Sequence, residues 1–213
     1  MILSTAQLAF AAHFVAHLAW LGLAPANAAD PVAHLGKRLQ RGEVVLDASS
    51  PRAFLGQLLR ELDVSPASQV LVFSKTSLQN SLISPATPRA IYFSEEVYVG
   101  WCQDGLVELI GIDPENGPQF YTLSVPSRPR EIPELATSET CFNCHESSRT
   151  EDVRGMLVRS VYTDDAGQPI LSEGSFLSGQ QSPLRERWGG WYVTGTHGSD
   201  RHMGNVIARA AAT

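Results

Sequence analysis

Apolar residues crowd the start of this chain and then thin into short, regularly interrupted groups. Residues 1–28 carry no Lys, Arg, Asp or Glu, and Leu8 to Ala24 is apolar except at His13 and His17. The run ends in Pro25-Ala26-Asn27-Ala28, a small-residue A-x-A site, which predicts an export signal cleaved after Ala28. An uncleaved membrane anchor is the alternative, because the run just reaches spanning length. No later apolar run does so. Residues 29–213 are therefore expected to be one soluble domain, large enough to bury a core of its own.

After a polar start to that domain, Ser50-Pro51 is a cap followed by a first-turn proline. Phe54, Leu55, Leu58, Leu59 and Leu62 then recur at helical spacing, predicting a helix that ends between Asp63 and Pro66. Strand signals follow. Gln69 to Phe73 is a short apolar strand, and Ala90 to Trp101 is two strands around Ser94-Glu95-Glu96. Leu106 to Ile112 is entered through Asp104-Gly105, and Gln119 to Leu123 follows the turn Asp113 to Pro118. Val125 to Pro133, with three prolines and two arginines, reads as an extended connection. Beyond it Met156 to Tyr162 is a candidate strand, and Trp188 to Thr196 a glycine-interrupted strand pair or bulge. The expected class is α+β: an antiparallel, sheet-rich domain with a few short helices.

Composition narrows the partners. The net charge is −6, which disfavours nucleic acid. Lys37 and Lys75 are the only lysines among 16 cations, so arginine supplies nearly all positive charge. An exported chain with three cysteines holds one pair and one remainder. Cys141 and Cys144 form the pair, and Cys102, in a strand-like context, is expected to be a buried small apolar residue.

The pair belongs to Cys141-Phe142-Asn143-Cys144-His145, which reads C-x-x-C-H, the attachment site of a c-type haem. Two thiols at this spacing each add to one haem vinyl group, and the adjacent imidazole lies under the iron as axial ligand. A short helix, roughly residues 138–147 with Ser138 as cap, projects all three side chains to one side. The opposite face of the iron decides the chemistry: a His or Met ligand suits electron transfer, an open face suits ligand binding or peroxide chemistry. The segment from Thr196 to Asn205 concentrates the candidates, with His202 the first choice, then Met203, then His197. His202 and Met203 are neighbours and point apart, so only one can reach a given iron. Met156 reads as core rather than ligand. Arg149, Arg154, Arg159 and Arg201 are candidate propionate partners, and Trp188, Trp191 and Tyr192 candidate pocket walls. A zinc-stabilised exported binding domain is a separate alternative: Cys141, Cys144, His197 and His202 have Cys₂His₂ ligand types, although 52 residues separate the two pairs.

The pentapeptide and the leader resemble those of c-type cytochromes. That resemblance implies one covalently attached haem c and one-electron transfer between redox partner proteins of the periplasm. A membrane contact is implied only if the N-terminal segment stays uncleaved. A sheet followed by C-x-x-C-H is also similar to the cytochrome P460 group, in which an upstream lysine cross-links to the haem; Lys75 is the lysine placed for that role. This second resemblance implies a haem oxidase, peroxidase or gas-binding protein with an open distal site.

Overall fold

A computed structural model describes residues 30–128 and 130–208. The expected leader, residues 1–28, lies outside them. Helix α1, Pro31–Gln40, begins where Asp30 caps two backbone amides, Val32 N at 2.8 Å and Ala33 N at 3.3 Å. The reading of this stretch as a polar start is corrected here: Val32, Leu35, Gly36 and Leu39 face inward at helical spacing. Helix α2, Pro51–Glu61, is capped by Ser50 as expected, its Oγ accepting from Ala53 N at 3.1 Å.

The strands are β1 (Val70–Val72), β2 (Arg89–Phe93), β3 (Val97–Trp101), β4 (Val107–Asp113), β5 (Gly117–Leu123), β6 (Leu135–Thr137) and, far downstream, β9 (Trp191–Tyr192). They form one seven-stranded sheet in the order β6-β5-β4-β3-β2-β1-β9, antiparallel throughout. The class is α+β, with the expected meander at its centre. A second, two-stranded sheet pairs β7 (Arg159–Val161) with β8 (Ser175–Leu177). Two expectations shorten. The Met156–Tyr162 strand contracts to β7, and the Trp188–Thr196 pair contracts to β9, which extends the main sheet at β1. Gly189 and Gly190, packed against Val161 and Ser74, take up the turn before it.

Alternation sorts the main sheet into two faces. Ala90, Tyr92, Val97, Val99, Val107, Leu109 and Leu123 point to the helices and bury with Val32, Leu35, Leu39, Phe54, Leu58 and Leu59 in one apolar cluster. The opposite face has no helix of that size on it. At one end of this face sits the motif helix, and at the other the second sheet. Trp191, directly opposite Val72, donates its indole N–H to Arg159 O at 2.8 Å and ties the two sheets together.

Candidate functional site

The motif occupies a 3-10 turn, Glu139–Cys141, continued by helix α3, Phe142–His145. The expected short helix is therefore present, although Ser138 caps no amide. Its seat is Phe120 of β5, which meets Phe142 edge-on at 5.9 Å and His145 at 4.6 Å between ring centroids. Arg154 lies over the other side of Phe142 at 4.4 Å, paired with Glu146 at 2.9 Å and with Gln119 at 3.1 Å. The helix is thus fixed by an aromatic seat on one strand rather than by its own length, since four residues cannot be stable alone.

His145 is held at two points, one on its ring and one on its backbone. His145 Nδ1 donates to Gly155 O at 2.8 Å, and Gly155 N donates to His145 O at 2.9 Å. A carbonyl only accepts, so the proton resides on Nδ1 and the Nε2 lone pair is free. The return of the chain to Gly155 is built by Ser147 and Thr150, whose side chains and amides bond reciprocally in a capping box. Glu151 and Asp152 then turn through left-handed conformations. Burial lowers the pKa of His145 from its ordinary value, with the Gly155 bond opposing, so the ring stays neutral near pH 7. A neutral imidazole with Nδ1–H bound and Nε2 free is the form that ligates a metal.

Cys141 is half-buried and Cys144 exposed, and neither is in a disulfide. Burial pushes the Cys141 thiol up, with Ser138 acting against it. Beside them lies an ion pair that the sequence reading did not pick out. Arg89 of β2 crosses above Gly100 of β3 to reach Glu108 of β4, and Gln79 Nε2 donates to Glu108 at 3.0 Å. These two charges act with opposite sign on both Cys141 and His145. Cys102 is buried as expected, and burial raises its thiol to about 11.

The other candidates are placed as follows. His197 and His202 stand edge to face at 4.4 Å in the loop after β9. His202 Nδ1 accepts from Gly204 N at 2.9 Å, while His197 Nδ1 meets Asp200 O at 2.6 Å and keeps Nε2 free. Met203 is buried beneath Gly189, and its sulfur accepts from Ser160 Oγ at 3.5 Å. Met156 is half-buried. Tyr192 packs on Phe73 and donates to Pro85 O, so its hydroxyl is committed. Trp188 stands edge-on to Trp191. Of the four arginines, Arg154 touches the motif; Arg159 bonds Ser175, and Arg149 and Arg201 are exposed. Lys75 follows β1, its amide on Gly167 O. Among the described residues no three His, Cys, Asp or Glu side chains converge, so the four ligands of the zinc alternative do not form one cluster. Cavities of about 420 and 540 Å³ lie elsewhere, at the α1–α2 end and beside Trp101.

Phe120, Gly155, Arg89 and Glu108 escaped the sequence reading. A trace of one was present: a glycine in the middle of an apolar strand, as at position 100, marks a place where something lies close on the backbone. No protein-family model, curated protein or solved structure matches this chain.

Proposed function

We propose that this chain is an exported c-type cytochrome carrying one haem and passing single electrons between periplasmic partner proteins. The observation that supports it most is the clamp on His145. An imidazole with Nδ1 bound to Gly155 O and Nε2 free, next to two unpaired thiols on the same short helix, is prepared for axial ligation. Cys141 and Cys144 would anchor the group by thioethers, and His145 would hold the iron from the proximal side. When bound, the haem supplies a one-electron couple. The chain's own part is to fix the proximal ring, keep its proton on Nδ1, and set charge around it through Arg89, Glu108 and Arg154.

A second reading has specific support. The Nδ1 of His202 is occupied by an amide donor, and Met203 sulfur is engaged in the core. Ligation by either requires rearrangement, so unless His197, whose Nε2 is free, takes the sixth position, that position is exchangeable, as in a haem enzyme or gas-binding protein. The test is production in a host with haem-attachment machinery. Electron transfer predicts a covalent haem by mass and a low-spin spectrum indifferent to CO. High-spin, CO-binding iron selects the second reading, and colourless protein of bare polypeptide mass defeats both.

A further inference from the structure

The face of the main sheet opposite the helices is covered at both ends and open in the middle. Phe120 of β5 lies under His145, and at the other end Val72 lies opposite Trp191, which is tied to the second sheet. From Phe120 one cross-strand row runs through Ile110 and Tyr98 to Phe93, each directly opposite the next. Phe120 is buried, Ile110 and Tyr98 half-buried, and Phe93 is 41% exposed, stacked on Tyr98 at 6.0 Å. Ile91 and Ile112, on the same face, are half-buried as well. Three strand spacings make this row about 14 Å long, longer than a porphyrin ring is wide. Contiguous apolar surface of this kind on a sheet face marks a binding site.

We infer that this open strip, floored by Ile110, Tyr98 and Phe93, is the apolar seat of the porphyrin tethered at Cys141 and Cys144. The inference rests on the haem reading above and adds where the group lies. Two features select this occupant. The row begins at the residue that packs against the proximal imidazole, so a group fastened to that helix reaches the strip without further chain movement. The strip is also bordered by the Arg89–Glu108 pair, because Glu108 lies two residues from Ile110 on the same face of β4. An apolar floor with one charged margin matches a macrocycle that is apolar over its ring and acidic at its propionate edge.

The test is hydroxyl-radical footprinting of haem-bearing full-length protein against its Cys141→Ser/Cys144→Ser form. Tyr98, Phe93 and Ile110 are expected to label several-fold less with haem attached, while Val45 and Ile132, exposed elsewhere, label equally. Because the double variant needs the haem to fold if the seat is essential, Ile110→Asp in the haem-bearing protein is the second measurement. A carboxylate there favours ferric iron and lowers the reduction potential, whereas Val45→Asp leaves it unchanged. Haem present by mass with Tyr98 labelled as in the haem-free form, or a potential unmoved by Ile110→Asp, overturns the placement alone. A polypeptide without haem overturns the underlying reading instead.

Discussion

Gly100 occupies the one position in β3 over which a guanidinium lies. A Cβ built there would stand 2.2 Å from Arg89 Nη2 and 2.8 Å from its Cζ. Both distances are far below any van der Waals contact, so a Gly100→Ala side chain must push the whole group off the strand. Arg89 is otherwise held by Glu108, and its Nε is already buried without a partner. Lifting the guanidinium leaves the Glu108 carboxylate short of its counter-charge in a largely shielded place, and separating a partly buried pair is costly. Gly100→Ala is accordingly expected to lower stability by about 1–3 kcal/mol, the usual cost of overpacking. Arg89→Met together with Glu108→Gln in the same background should recover most of it, because the obstructing group and the stranded charge are then both gone. Urea unfolding of the three variants decides this; a Gly100→Ala protein as stable as the parent would mean that Arg89 does not rest on the strand.

Helix α1 is held to the sheet through its cap more than through its length. Asp30 accepts from two amides of the helix and from the Tyr121 hydroxyl of β5. Gly111 of β4 leaves the room, since a Cβ there would fall 1.8 Å from Asp30 Oδ1. Burial first, and this carboxylate second, push the Tyr121 hydroxyl well above the usual phenol range, so it remains a donor. Asp30→Ala removes a cap worth about 1 kcal/mol and strands a half-buried hydroxyl at a further cost of about 1–3 kcal/mol. Asp30→Asn keeps the cap and should lose much less. Equal urea midpoints for the two variants would place the energy elsewhere. The helix was hidden in the sequence, because its buried stripe contains just Val32, Leu35 and Leu39 among polar neighbours and a glycine. The meander was legible for the opposite reason: β4 alternates cleanly, and tight turns join strands that pair with their neighbours in sequence. The pentapeptide was legible because its chemistry is local. Its setting was not. Phe120, Arg89 and Glu108 reach it only through cross-strand register, and β9 joins the sheet through Val72, more than a hundred residues away. Such pairings leave no periodicity to read.

At the scale of the molecule, apolar burial is distributed unevenly along the chain. The main cluster draws its buried members from Val32 through Leu123. After Leu135, the fully buried hydrophobic residues among those described are Val161, Trp191 and Met203, and the motif helix buries none of its own. Residues 138–158 are held instead by the Phe120 seat, the Ser147–Thr150 box and the His145–Gly155 clamp. Hydrogen bonds at this exposure contribute only about 1 kcal/mol each, so the region belongs to the low end of local stability. A haem covalently joined to this helix would add the missing apolar body, and a group that binds the folded state alone stabilises it. Hydrogen exchange should therefore be fast over 139–158 in the Cys141→Ser/Cys144→Ser form and markedly slower in the haem-bearing protein. Helices α1 and α2, packed on the face of the sheet away from that site and already buried without it, should exchange alike in both. The comparison is internal, so a general change in stability cannot imitate it: that would slow α1 and α2 as well. Equal exchange over 139–158 in two proteins shown by mass to differ by one haem would mean that the C-terminal region completes its core without the cofactor.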